Sequence, residues 1–206
     1  MLTLTSEAAR AALPFDRLIA ALREHFTSTC EVPLRHVHEI ASPGGGKITS
    51  LIMPAWLPGR YYGVKIVNIA PGNAAEGLPG LHSAYLLFDA RTGVPLAQID
   101  GDQITTRRTV AASALAASYL ARADARHLLV VGAGAVAALL PEAYRTVRPI
   151  EQVTVWARRA SEAQHLDRAA LMATFSTPRR WKFACGAKRR GAAIMRRCGA
   201  QAGSCS

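Results

Sequence analysis

The sequence predicts an α/β protein in two unequal parts, and three observations carry that expectation. Residues 127–158, HLLVVGAGAVAALLPEAYRTVRPIEQVTVWAR, read as strand, glycine turn, helix, strand. The ~125 residues before them alternate short apolar runs with Gly- and Pro-marked turns, the pattern of an α+β unit. Beyond Ala173 the periodicity stops. The expected organisation is therefore an α+β unit over 1–125, a partial Rossmann-type unit over 126–173, and a tail over 174–206.

The glycine turn sets the chemistry. Gly132-Ala133-Gly134-Ala135-Val136-Ala137 follows the apolar strand Leu128–Val131 directly, in the context where G-x-G-x-x-G/A binds a dinucleotide. Gly132 allows the tight turn. Gly134 bares the main chain to a pyrophosphate, and Ala137 lets helix and strand pack closely. The next helix begins with free N–H groups at its positive end. The bland alternative is a Gly/Ala-rich helix start without a ligand, and the flanking strands argue against it. The second strand, Val153–Trp156, runs into Arg158 with no acid before Glu162. An acid there would bind a ribose 2′-hydroxyl, whereas an arginine suits a 2′-phosphate. The expected cofactor is NAD or NADP, with Arg158 tilting the choice to NADP. An ordinary solvated arginine is the competing reading.

In chain order, Met1 to Thr5 suits a short strand and Ser6-Glu7 a cap for SEAARAAL. Asp16 is expected to cap RLIAALREHF, whose Leu18, Ile19, Leu22 and Phe26 share a face. Residues 31–40 look extended, Pro43–Gly46 is a turn, and Ile48–Met53 a strand. Trp56–Arg60 reads as a loop, Tyr62–Asn68 as a strand, and Pro71-Gly72-Asn73 as a turn. His82–Phe88 and Pro95–Asp100 form a hairpin about Asp89–Gly93. Thr105–Arg122 is an Ala-rich helix feeding the fingerprint strand.

Charge and cysteine narrow the function. The formal charge is +11, but residues 1–176 hold 17 Lys+Arg against 14 Asp+Glu, and residues 177–206 hold eight basic residues and no acid. The charge thus belongs to the tail, which makes a nucleic-acid partner unlikely for the body. No apolar run is long enough to span a bilayer and no basic leader opens the chain, so a cytoplasmic protein is expected. Cys30 stands apart from Cys185, Cys198 and Cys205, and without a C-x-x-C no metal site is expected.

Three stretches, GVKIVNIAPGN (63–73), LLFDARTGVPLAQIDG (86–101) and TTRRTVAASALAA (105–117), together resemble the ornithine cyclodeaminase/mu-crystallin family. PLRHV (33–37) and the GAGAVA turn follow the family's order, and the resemblance covers residues 1 to ~170. It implies a substrate-binding and dimerisation domain joined to a Rossmann domain. It also implies NAD(P)-dependent hydride transfer at the α-carbon of an amino acid or cyclic imino acid, by a cyclodeaminase or ketimine reductase. A homodimer is implied as well.

Carried over by resemblance, Arg35, Lys65 and Arg108 bind the substrate, with Arg108 lying between its carboxylate and the nicotinamide. Thr109 helps with phosphate, and Ala135 and Val136 sit under the pyrophosphate. A planar guanidinium holds a carboxylate through two parallel bonds, which fixes the reacting carbon. Taken singly, Arg35 reads as a surface arginine, Lys65 as a snorkelling edge lysine, and Arg107 with Arg108 as a solvated helix face. His36, His38 and His82 are weak candidates, and Trp56 reads as packing.

The chain also departs from the family. Gly80 stands where several members carry a threonine that touches ligand. Pro141 falls inside the fingerprint helix, costing ~3 kcal/mol or more, so that helix is expected to kink or start late. After Ala173 nothing reads as completing a sheet, and the family's catalytic aspartate has no counterpart, so no catalytic residue is assigned. The abrupt change at that point suggests an out-of-frame tail on a truncated member, with activity impaired. A non-catalytic, dimerising NADP(H)-binding protein, crystallin-like, is the alternative.

Overall fold

The computed structural model describes residues 1–42 and 46–158, together with the backbone of 181–185. The front part is one mixed sheet with helices on one side. Its strands are β1 (Leu2–Leu4), β2 (His36–Ala41), β3 (Lys47–Leu57), β4 (Tyr61–Ile69), β5 (Leu81–Asp89) and β6 (Pro95–Asp100), in the order β1-β6-β5-β4-β3-β2. All neighbours are antiparallel except β1 and β6, which run parallel.

Several element boundaries differ from expectation, each for a local reason. Trp56 lies in β3 rather than in a loop, because its backbone pairs with Tyr62 and its ring meets the Tyr62 ring edge-on at 6.3 Å. α1 (Ser6–Ala12) is capped by Thr5, whose hydroxyl accepts from the Ala8 N–H. α2 (Phe15–His25) has Pro14 at its N-cap position; Asp16 sits in the first turn, where it faces the helix dipole without capping. α3 (Gly101–Leu120) starts four residues early, since Asp100 accepts the Gln103 N–H at 2.8 Å and so caps it. Pro71–Glu76 forms a 3-10 turn.

The rear part contains β7 (His127–Val131), α4 (Ala135–Arg145) and β8 (Gln152–Ala157), with β7 and β8 parallel. This is the α/β unit expected from the fingerprint. Its core is Val130, Ala137, Ile150, Val153, Val155 and Ala157. α4 begins directly after Gly134 and runs on through the buried Pro141, so it does not start late. The proline withholds only the N–H that would bond the Ala137 carbonyl.

The tail expectation is corrected at one point. Trp181–Cys185 forms β9, which pairs in parallel with β8 and extends this sheet to three strands. The rest of the out-of-frame reading lies outside the described residues. On β7, Leu129 and Val131 alternate outward and are 48% and 68% exposed.

α3 joins the two parts. It packs on β4, β5 and β6, on α1 and α2, and on α4. Phe15, Ile19, Val110, Ala111, Ala114, Leu115 and Ala143 form one buried cluster across α2, α3 and α4. Polar links reinforce that seam. Ser113 Oγ and the Tyr144 hydroxyl lie 2.8 Å apart, and Arg148 donates to the Ser118 and Ala121 carbonyls at the end of α3.

Candidate active site

Strand register decides which side chains share the site. Lys65 on β4 stands opposite Met53 on β3 and Tyr85 on β5. Ser83, two residues from Tyr85, donates to Asp102 Oδ1 of α3 at 2.6 Å, so this sheet face is the one under α3. Lys65 therefore points to the helix side, towards Arg108. Arg35 comes from the extended segment just before β2.

Electrostatics bring the three cations together. The Lys65 ammonium is half-buried, and burial lowers its pKa from 10.5; the guanidinium of Arg108 and then that of Arg35 lower it further. Arg35 and Arg108 are themselves exposed. Three positive groups from three parts of the chain thus act on one another at this sheet face, an arrangement suited to an anion. The family resemblance had grouped the same three residues.

The same cluster predicts a pH dependence. A bound carboxylate requires the Lys65 ammonium, so carboxylate affinity is expected to fall as pH rises through the lowered pKa, below 10.5. For stability the sign is opposite. The folded chain holds this proton less tightly than the unfolded chain, so stability rises with pH between the lowered value and 10.5. Both trends should vanish in Lys65→Met, measured by calorimetric titration of a carboxylate and by urea unfolding at each pH.

Arg107 and Arg108 are not one solvated face. Arg107 is buried: Nε donates to the Leu13 carbonyl at 2.7 Å, the guanidinium lies 4.1 Å from the Phe15 ring centroid, and Nη2 approaches Glu142 Oε1 at 3.4 Å. Arg108, one residue on, turns outward to the site. The Thr109 hydroxyl donates to the Thr105 carbonyl at 2.6 Å within the helix, which occupies the proton it would offer a phosphate. His82 pairs with Asn68 on the sheet face opposite Lys65, away from the cluster, and His36 and His38 are exposed on edge strand β2. Gly80 accepts the Ala70 N–H through its carbonyl. Tyr85 is marked by nothing in the sequence; only the register with Lys65 reveals its place.

The glycine turn has the form a diphosphate needs. Gly132 has φ 119°, a conformation that L side chains rarely adopt, and its N–H bonds the Trp156 carbonyl at 2.8 Å. Gly134 is the N-cap of α4, with no side-chain cap and no atom within 4 Å of where a Cβ would stand. Ala135 and Val136 are exposed, while Ala137 is buried against the sheet. Among the described residues no side chain caps the first-turn amides. Arg158 is exposed directly after β8.

Comparison with known proteins agrees with this architecture. The ornithine cyclodeaminase/mu-crystallin family model matches residues 5–177. An uncharacterized protein of Schizosaccharomyces pombe is 46% identical over 166 residues, 79% of this chain and 50% of that protein. The Delta(1)-pyrroline-2-carboxylate reductase of Colwellia psychrerythraea is 36% identical over 168 residues, 81% of this chain and 53% of that enzyme. The chain spans about half the length of the curated relatives it matches.

Among solved structures, Thermococcus litoralis Delta(1)-pyrroline-2-carboxylate reductase, in complex with NADH and L-proline, superposes with TM-score 0.71 at 29% identity. That match covers 91% of this chain and 58% of that one. An archaeal alanine dehydrogenase dimer with bound NAD gives TM-score 0.74 at 29% identity, covering 91% and 56%. With the fingerprint turn, the sheet order and a match over residues 5–177 in agreement, the chain belongs to the ornithine cyclodeaminase/mu-crystallin family.

Proposed function

We propose that this chain carries the substrate-binding and nucleotide-binding elements of an NAD(P)-dependent enzyme that reduces a cyclic imino acid. The observation that carries this reading is the convergence of Arg35 and Arg108 on the Lys65 ammonium. The relatives named as Delta(1)-pyrroline-2-carboxylate reductases supply the substrate class. Residues 1–125 form the substrate and dimerisation domain in this reading, and 126–173 the nucleotide domain.

The roles divide by chemistry. Arg35 and Arg108 grip the substrate carboxylate, and Lys65 adds a third positive group beside it. Together they hold the C=N carbon in place, which is worth more than affinity alone because orientation is settled before reaction. The amides of Gly134, Ala135 and Val136 suit the diphosphate, and Arg158 the ribose end. A nicotinamide cofactor, when bound there, would supply the hydride. NADP over NAD rests on Arg158 alone.

The other sheet face supports the proposed dimer. α1 and α3 both cover the Ser83 side, and no helix of the described residues covers the reverse. That face presents Ile52, Trp56, Tyr62, Val64, Leu86 and Phe88, with the Tyr62 and Phe88 rings stacked at 5.3 Å. An apolar sheet face of this kind suits a second copy of the chain. Leu86→Arg would place an unpaired charge in the proposed apolar interface, so the dimer should dissociate about tenfold more readily, or worse, by sedimentation.

The same features would serve a non-catalytic, NADP(H)-binding dimer. Nicotinamide fluorescence titration with NADH and NADPH, run beside a reduction assay on Delta(1)-pyrroline-2-carboxylate, separates the two readings. Cofactor binding with turnover supports the reductase. Binding without turnover supports the crystallin-like alternative. Absence of binding to either nucleotide defeats both.

A further inference from the structure

We infer that Tyr85 is a specificity-determining wall of this site, setting the width of the ring that the carboxylate cluster accepts. The inference rests on the reading of Arg35, Lys65 and Arg108 as carboxylate-binding groups. Its own basis is separate. Tyr85 stands in register opposite Lys65 on the helix side of the sheet. Cβ atoms of such cross-strand pairs are ~5 Å apart, so the two side chains are immediate neighbours.

The ring does not stand upright over its own strand. Its hydroxyl and Cζ occupy the space that a Cβ on Gly63 would fill, with Cζ 2.7 Å from that position. Tyr85 therefore leans from β5 across β4, one pleat from Lys65. Gly63 is the residue that permits it, which gives the glycine of GVK a packing role. Burial raises the phenol pKa, and Cys30, on the segment that leads to Arg35, raises it further. The phenol stays neutral at physiological pH and adds no charge to the cluster.

A flat, neutral aromatic beside Lys65 has a clear use. The cations fix a carboxylate, and the ring face packs against whatever planar group is attached to it. A five-membered ring carrying a carboxylate fits flat between wall and cluster. A fused bicyclic ring needs the volume that Tyr85 fills. Discrimination of this steric kind is worth roughly tenfold or more.

The test uses the full chain with pyrrole-2-carboxylate and indole-2-carboxylate as probes, by calorimetric titration. The wild type should prefer the pyrrole by roughly tenfold or more. Tyr85→Leu should erase most of that preference while binding through Lys65 persists. Tyr85→Phe should keep it, because the wall is the ring and not the hydroxyl. Gly63→Ala expels the ring and should also erase the preference, with no further change in the Gly63→Ala/Tyr85→Leu double variant.

A second probe is 3-fluorotyrosine incorporation, the Tyr85 signal being assigned by its loss in Tyr85→Phe. That signal should shift when pyrrole-2-carboxylate binds. An unchanged preference in folded Tyr85→Leu, or an unmoved fluorine signal on saturation, overturns the wall while leaving the carboxylate cluster intact. Carboxylate binding that ignores Lys65→Met and Arg108→Ala overturns both.

Discussion

Arg107→Ala is expected to lower the unfolding free energy by about 3 kcal/mol, the combined cost of a stranded buried carbonyl and a void in the core. The side chain is 3% exposed and serves three elements at once. It satisfies the Leu13 carbonyl between α1 and α2, stacks on Phe15, and approaches Glu142 on α4. Alanine leaves that carbonyl without its donor and opens a void beside a ring in the core. Glu142 is 37% exposed and remains solvated, so the loss there is small. Arg107→Met should recover part of the deficit by filling the volume without the donor. Urea denaturation measures all three proteins. A loss below ~0.5 kcal/mol, the size typical of an uninvolved surface position, would show that Arg107 holds nothing together.

The neighbouring position should behave in the reverse way. Arg108→Ala is expected to leave stability within ~0.5 kcal/mol of wild type. Its effect should fall on ligand instead. Hydrogen bonds to a charged group contribute about 1.5–3 kcal/mol, so pyrrole-2-carboxylate should bind roughly 10- to 100-fold more weakly. Arg108→Lys should fall between, since it keeps the charge and loses the planar fork. Removing Arg108 also withdraws a repulsive neighbour from Lys65, so the Lys65 pKa should climb back towards 10.5 and the pH dependence of binding should shift upward with it. Unchanged affinity in folded Arg108→Ala would remove the central claim about this site.

These adjacent arginines show what a one-dimensional reading captures. T-x-x-R-T identified Arg108 by resemblance, but a helix turns ~100° per residue, so its neighbour had to point elsewhere. Where it points depends on Leu13, Phe15 and Glu142, which lie far off in the chain, and no local pattern records them. The glycine turn was legible because its requirements are local: φ at Gly132, no side chain at Gly134, a small one at Ala137. β4, β5 and β6 were legible because alternation and turn residues mark them. Tyr85 was not, since its role depends on cross-strand register. β9 was missed because WKFAC is short and set in a basic, Gly- and Ala-rich tail, so only pairing with β8 marks it as a strand. Trp56 was read as loop through its flanking prolines, yet β4 recruits it.

α3 has a consequence for timing as well as for shape. Its first turn is tied to β5 through Ser83 and Asp102, its middle carries Arg108, and its last carbonyls are held by Arg148 from beyond α4. One rigid rod therefore supports the anion receptor at mid-length and abuts the nucleotide unit along its side. In the proposed reductase, substrate and dinucleotide would thus be gauged from a common ruler, which sets much of the gap a hydride must cross.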